Sequence, residues 1–151
     1  MRDEFVLEIL TSTDANEILR SSSIQSLWSG YGEIAKHDLE GGKITSVITK
    51  HILFPNASNH PRGWDTNHSH ERKVKSYQVE MAWYQQWSQQ CGKACRVADF
   101  YGSKSINAEH LLILEDLDDT GFSSRKTSVG KAEAIVCLNW LASFHATFLD
   151  A

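Results

Sequence analysis

Apolar residues recur at two different spacings along the chain, and these spacings predict a mixed order of helices and strands. In the first twenty residues, "EFVLEIL" and "DANEIL" carry apolar residues at helical spacing, which predicts two short helices or one broken helix. From Ile24 onward, "IQSLWSG", "GEIAKHDL" and "KITSVITKHIL" are typical of strands, and Gly41-Gly42 between the last two indicates a hairpin. We therefore expect a three-stranded antiparallel meander behind an N-terminal helical segment.

The second half predicts two more helices and two more strands. Residues Phe54 to His70 contain both prolines and no periodicity, so we expect a long loop there. Glu71–Gln90 repeats apolar and aromatic residues at three- and four-residue intervals, which predicts an amphipathic helix. "CRVADFYG" and "EHLLILEDL" favour strands, and Val129 to Leu149 favours a long helix with Ser128 as its cap. The predicted fold class is α+β: a five-stranded antiparallel sheet with the Glu71–Gln90 helix packed on it and helices at both ends.

Composition places the chain among ordinary globular proteins and narrows its partners. With 41% hydrophobic and 23% charged residues in 151, it can bury the core of one compact unit. A net charge of -4 without blocks of like charge argues against nucleic acid or an anionic membrane as the main partner. An odd number of cysteines, three, is typical of a reduced protein. The first residues, "MRDEFVLEIL", contain acids where a signal peptide carries basic residues, and the chain has no long apolar run, so we expect a cytoplasmic protein.

Two features of the meander are candidates for binding an anion. The stretch "LWSGYGEI" places Gly30 and Gly32 in the turn between the first two strands, where backbone N–H groups can approach a phosphate. A tight hairpin that needs positive φ explains the same glycines without a ligand. Lys50 lies in the apolar run "SVITKHI" and shares a strand face with Ile48 and Ile52, so its charge needs a partner unless the strand is a solvated edge.

Two further features complete a possible nucleotide site. Glu80 lies in the middle of the "SYQVEMAWYQQW" helix and is a plausible partner for Lys50, although most helix glutamates are simply solvated. In "LLILEDLDD" a buried strand runs into polar residues, so the backbone from Glu115 to Leu117 can bond an adenine edge while Leu112 and Leu114 line an apolar slot. A core strand followed by a loop is the alternative.

These four features occur in the order of a kinase amino-terminal lobe. In "SVITKHI", "SYQVEMAWYQQW", "LILEDLDDTGF" and "LNWLASFHATFL", from about Ile24 to the end, the chain resembles the aminoglycoside-phosphotransferase and choline-kinase-like superfamily, nearest its ecdysteroid-kinase-like branch. The resemblance implies binding of ATP, with Mg²⁺ in a full-length enzyme, and phosphorylation of a small hydroxylated or amino-alcohol acceptor. It assigns these binding roles: Gly30, Tyr31 and Gly32 over the phosphates, Lys50 on the α- and β-phosphates, Glu80 orienting Lys50, and Glu115 with Leu117 at the adenine.

The resemblance also implies a division of the chain and a missing part. It predicts an N-terminal helical segment over 1–23, a nucleotide-binding lobe over 24–120, and over 121–151 a connector with the first helix of a carboxy-terminal lobe. Such kinases use a later loop with a catalytic aspartate and a metal-binding asparagine, and Asp116, Asp118 and Asp119 come too early for these roles. We expect no catalytic or metal-binding residue in this chain, which alone would not transfer phosphate.

Two other functions fit the sequence. One is a non-catalytic nucleotide-binding or protein-interaction module, in which a partner covers the exposed lobe face. A missing second lobe would leave apolar surface on the last helix, and such a patch favours self-association through that face or poor solubility. A metal-binding loop protein would use His60, His68 and His70 with Asp65, since imidazole and carboxylate suit zinc or nickel, although a solvated polar loop explains the same residues.

Overall fold

The chain forms an α+β fold with a five-stranded antiparallel sheet and three α-helices. The computed structural model describes residues 1–27, 30–54 and 67–149, without the side chains of 67–69. Along the chain the elements are α1 (Asp3–Thr13), β1 (Glu17–Ser26), β2 (Gly32–Glu40), β3 (Ser46–Leu53), α2 (Asn67–Gln86), β4 (Phe100–Ile106), β5 (Glu109–Glu115) and α3 (Lys131–Thr147). The sheet order is β1-β2-β3-β5-β4 with all neighbours antiparallel. The predicted order of elements and the meander are confirmed.

The two faces of the sheet are covered by different helices. Phe5 and Ile9 of α1 are fully buried against Val47 of β3 and against β5. On the opposite face, Tyr77 of α2 is buried beside Ile52 of β3. Because side chains alternate along a strand, residues 47, 49 and 51 of β3 face α1, and residues 48, 50 and 52 face α2. The central strand β3 therefore carries a helix on each side.

The N-terminal helical segment is shorter than the sequence predicts. The helix α1 ends at Thr13, and Asp14 takes a left-handed conformation with φ 54°. The predicted second helix at "DANEIL" is wrong, because Glu17 begins strand β1, which pairs with β2 from Glu17 opposite Glu40 to Ser26 opposite Glu33. Pairing with β2 outweighs the local helical spacing.

The boundaries around α2 and β4 also differ from the prediction. Helix α2 begins at Asn67, inside the predicted loop, and ends at Gln86, after which Ser88–Gln90 form a 3₁₀ turn. The predicted strand "CRVADFYG" starts too early, since Lys93–Cys95 form another 3₁₀ turn and β4 begins at Phe100. Most of the predicted loop, residues 55–66, lies outside the described residues.

Helix α3 has the predicted position but a different start and surroundings. Its cap is Gly130, whose N–H donates to the Glu133 carboxylate over 2.8 Å, so the predicted cap Ser128 is wrong. None of the residues described in α3 is buried. Two apolar residues of this helix, Ile135 and Leu138, are 47% and 62% exposed, so they face outward. The inward contacts come from other residues of the helix.

Over the described residues, no helix has both the length and the apolar composition needed to cross a membrane.

Candidate functional site

The predicted ion pair between Lys50 and Glu80 is present in the structure. Strand alternation directs Lys50 to the α2 face of the sheet, where its Nζ lies 2.7 Å from Oε1 and 2.6 Å from Oε2 of Glu80. Nζ also lies 5.0 Å from the centre of the Tyr77 ring, within reach of a cation–π interaction. The Lys50 side chain is 16% exposed and that of Glu80 33%. The ammonium is therefore held by two carboxylate oxygens and an aromatic face, and the side chain as a whole is not fully buried.

The sheet surrounds this lysine with apolar residues. Lys50 stands between Ile34 of β2 and Leu112 of β5 in the strand register. One step along, Ile48 stands opposite Leu114. Leu112 is fully buried, whereas Leu114 is half-buried, so Leu114 is the member of the predicted apolar slot that presents surface.

The glycine turn has a structural requirement for one of its glycines. Gly30 and Gly32 both have positive φ, of 75° and 122°. A Cβ on Gly32 would lie 1.9 Å from the carbonyl oxygen of His51, whereas a Cβ on Gly30 would meet nothing within 4 Å. The N–H of Gly30 donates to the carbonyl of Leu27. Close approach of β2 to β3 therefore explains Gly32 without a ligand, and coverage of phosphates by this turn stays a prediction.

Tyr31, between the two glycines, joins the turn to α2. Its side chain is buried, its hydroxyl lies 2.7 Å from Nδ1 of His70, and its ring centre lies 6.0 Å from that of Tyr77. Its carbonyl accepts a hydrogen bond from the N–H of Leu53. The side chain belongs to the core beneath the turn, so a phosphate contact at Tyr31 would have to come from its backbone.

Glu115, at the end of β5, has an ionic role that the sequence did not reveal. Its carboxylate is 4% exposed, accepts a hydrogen bond from Arg96 over 2.5 Å and another from the N–H of Asp99 over 3.0 Å. Burial by itself would raise the pKa of Glu115, but these bonds outweigh burial and lower the pKa. The side chain thus fixes the segment after β5 to the chain before β4.

Asp116 fixes the same segment to strands β2 and β3. It is 3% exposed, lies 2.5 Å from Nζ of Lys36 in β2, and accepts a hydrogen bond of 2.8 Å from the hydroxyl of Ser46 in β3. Burial would raise the pKa of Asp116, and the bonds from Lys36, Ser46 and the N–H of Asp118 together lower it. Acids that follow a buried strand need cationic partners, which is the sequence signal for such a network, but the identity of those partners depends on the fold.

Leu117 completes the predicted adenine edge. Its carbonyl accepts a hydrogen bond of 2.9 Å from the N–H of Phe122 and one of 3.3 Å from the Thr120 hydroxyl. These bonds close a turn directly after the two paired acids. The segment from Glu115 to Leu117 is therefore bonded to the chain before β4, to β2, to β3 and to the turn that follows it, while adenine contacts there remain predicted.

The histidine loop is only partly described. His60, Asp65 and the side chain of His68 lie outside the described residues. His70 lies in the first turn of α2, where it bonds the hydroxyl of Tyr31. Within the described part of the chain, no group of three or more His, Cys, Asp or Glu residues has the arrangement of a metal site.

The fold thus brings Lys50 and Glu80 together, holds the Glu115–Leu117 segment through its acids, and places the glycine turn where β2 meets β3. Sequence reasoning found the first pair and missed Lys36, Ser46 and Arg96.

Comparison with models of known protein families and with curated protein sequences gives no match to this chain.

Proposed function

We propose that the chain is the ATP-binding portion of a small-molecule phosphotransferase with a kinase-like amino-terminal lobe. The observation that carries this proposal is the bidentate pair between Lys50 of β3 and Glu80 of α2. A lysine that only needed neutralisation could use any nearby carboxylate. This one is held on the covered face of a sheet beside a glycine turn, with its side chain still 16% exposed. That arrangement suits a cation that binds phosphate oxygens.

The sheet register supports the same reading. Gly32 stands opposite Ile52, two residues from Lys50 on β3, so the turn and the lysine occupy the same end of neighbouring strands. Ile48 and Leu114 adjoin Lys50 on the side that leads to the Glu115–Leu117 segment. A nucleotide laid along this face would have its phosphates near Lys50 and the glycine turn, and its base near Leu114 and the backbone of Glu115 and Leu117.

For this chain alone we propose nucleotide binding without phosphoryl transfer. Bound magnesium would neutralise phosphate charge, and transfer also needs a positioned acceptor. The acids nearest the proposed base site are engaged in structural bonds: Asp116 with Lys36, and Asp118 with Arg125. We assign no metal ligand or catalytic base among them. The acceptor, a small hydroxylated or amino-alcohol compound, follows from the resemblance alone.

The proposal is tested by nucleotide binding to Lys50→Met. Calorimetry with MgATP is compared for wild type, Lys50→Met and the matched control Lys104→Met, whose lysine pairs with Glu8 at the surface. Loss of a charged hydrogen bond is worth about 1.5–3 kcal/mol, so Kd should rise roughly 10- to 150-fold in Lys50→Met and stay unchanged in Lys104→Met.

Two further measurements make the outcome decisive. Urea unfolding of each variant shows whether the fold is intact, so that weak binding is not confused with unfolding. Glu80→Gln should weaken MgATP binding less than Lys50→Met, because it misplaces the lysine and does not remove it. Equal affinity of Lys50→Met and wild type, or no measurable nucleotide binding by wild type, would overturn the proposal.

A second candidate, a protein-interaction module, is favoured by the exposed helix α3. Val136, Leu138 and Leu141 are 67%, 62% and 42% exposed. An open apolar cleft of about 430 Å³ also lies between α2 and α3 and is lined in part by Trp83 and Trp140. Self-association in sedimentation experiments, abolished by Leu138→Glu, together with absent nucleotide binding, would favour this function over the first.

A further inference from the structure

A second cavity lies on the α1 side of the sheet, on the face opposite to Lys50 and Glu80. It has a volume of about 330 Å³, which falls in the range of roughly 300–1,000 Å³ that small-molecule sites occupy. Its lining includes Ser21 and Ser23 of β1, Glu33, Ala35 and His37 of β2, and Thr49 of β3. We call this space the outer cavity. It shares no lining residue with the proposed nucleotide site.

The centre of its wall is a buried histidine held by two hydroxyls. His37 is 3% exposed and Thr49 is 1% exposed. Nδ1 of His37 lies 2.8 Å from the hydroxyl oxygen of Ser21, and Nε2 lies 2.8 Å from the hydroxyl oxygen of Thr49. Both ring nitrogens are therefore occupied within the protein, and of the two hydroxyls only that of Ser21 belongs to an exposed residue that a ligand can reach.

The protonation of His37 decides what these hydroxyls offer. Burial lowers the pKa of His37, more than the nearby Glu33 and Asp38 raise it, so the ring is neutral near pH 7. A neutral imidazole carries one N–H. The hydroxyl that accepts this N–H keeps its own O–H to donate, and the hydroxyl that donates to the other nitrogen keeps its lone pairs to accept.

Because Thr49 is 1% exposed, a ligand meets this relay at the Ser21 hydroxyl, which is a donor in one His37 tautomer and an acceptor in the other. A ligand hydroxyl is itself both donor and acceptor, so it matches either arrangement. Ser23 adds another hydroxyl to the lining, and Ala35 leaves room beside them because its side chain is a single methyl group.

The charges around the outer cavity disfavour an anion. Its described lining residues include one acid, Glu33, and Met1 with its α-amino group, but no lysine or arginine. His51, also in the lining, lies 3.2 Å from the carboxylate of Glu109. An anion such as phosphate would meet the Glu33 carboxylate without a lysine or arginine to offset it. A neutral ligand can donate a hydroxyl to that carboxylate.

We propose that the outer cavity binds a small, neutral, polyhydroxylated molecule of the polyol or monosaccharide class. The site is distinct from the proposed nucleotide site and does not depend on it. Since Thr49 directly precedes Lys50 on β3 but faces the other way, a ligand here contacts the strand that carries the lysine without approaching its ammonium.

The proposal is tested by NMR titration of the ¹⁵N-labelled protein with xylitol, and separately with inorganic phosphate. We expect saturable shifts of the backbone signals of Ser21, Ala35 and Thr49 with xylitol, at a Kd in the millimolar range, and none with phosphate. Ala35→Leu fills the space and should weaken xylitol binding at least tenfold. The matched control Ala132→Leu, at an exposed position on α3, should bind as wild type does.

A second pair of variants protects the test against a folding defect in Ala35→Leu. Ser21→Val removes one hydroxyl and leaves a β-branched residue suited to a strand, and Ser26→Val makes the same change in β1 outside the lining. Ser21→Val should weaken binding, and Ser26→Val should not. Four results would each overturn the proposal. Two concern the NMR shifts: a linear rise without saturation, or saturable shifts confined to other residues. The other two concern affinity: equal binding by Ser21→Val and wild type, or tighter binding of phosphate than of xylitol.

Discussion

Replacement of Glu115 by glutamine tests whether the segment after β5 is held by its buried carboxylate. Glutamine preserves the shape of the side chain and one oxygen that can accept the Asp99 N–H, which now donates to the carboxylate over 3.0 Å. It removes the charge that pairs with Arg96 over 2.5 Å. The perturbation is therefore electrostatic and leaves the packing nearly unchanged.

The expected cost follows from the burial of the two partners. Breaking a fully buried ion pair costs about 3–5 kcal/mol, because the remaining charge is left without compensation. Here Glu115 is 4% exposed but the Arg96 side chain is 34% exposed, so water can partly solvate the guanidinium that is left behind. We therefore expect Glu115→Gln to lower the free energy of unfolding by about 2–3 kcal/mol.

The same carboxylate makes stability depend on acid pH. The pKa of Glu115 is lower in the folded protein than its ordinary value of 4.5. The unfolded chain consequently takes up this proton first on acidification. The contribution of the ionised carboxylate is complete above the unfolded pKa and is lost as the pH falls through the folded pKa. The stability difference between wild type and Glu115→Gln should shrink over this acidic range.

Urea unfolding followed by circular dichroism measures both effects. The control is Glu133→Gln in α3, where the carboxylate pairs with Lys126 at the surface and the partners are 40% and 57% exposed. That change should cost about 0–1 kcal/mol. Equal losses for the two variants, or a difference between wild type and Glu115→Gln that does not shrink in acid, would refute the argument from burial.

Three further predictions concern the glycine turn and the cysteines. Gly32→Ala should lower the free energy of unfolding by about 2–4 kcal/mol, because residue 32 has positive φ and its new Cβ would meet a backbone carbonyl of β3. Gly30→Ala should lower it by only about 1 kcal/mol, because a Cβ there meets nothing within 4 Å. Equal values for the two variants in urea unfolding would contradict this. Tyr31→Phe removes the hydrogen bond to α2 but keeps the buried ring, so the same assay should give a loss of about 1 kcal/mol; an unchanged midpoint would show that the bond adds no stability. Burial, together with a hydrogen bond that the Cys91 thiol donates to the Cys95 sulfur, raises the pKa of Cys91 to about 11. Mass spectrometry should therefore find iodoacetamide on the exposed Cys137 well before Cys91, and the Cys91 rate should climb steadily with pH, whereas a pH-independent rate at Cys91 would argue against that environment.

Local patterns in the amino-acid sequence account for most of the order of elements and for one pair of residues in the candidate site. The alternation in "SVITKHI" and the helical spacing around Glu80 are local patterns, so they predicted which faces carry Lys50 and Glu80 before any contact was known. The structure brings those two side chains within 2.7 Å. Local patterns were enough here because both residues lie in the interior of regular elements, where the face of each position is fixed by periodicity.

The tertiary structure alone decided the features that depend on contacts distant in sequence. "DANEIL" has helical spacing but Glu17 begins a strand, because β2 supplies pairing partners that local propensity does not register. The acids at 115 and 116 find their cations at Arg96 and Lys36, which lie 19 and 80 residues away along the chain. Ile135 and Leu138 of α3 face outward for the same reason: periodicity defines a face of a helix, whereas only the packing of the whole chain determines what that face meets.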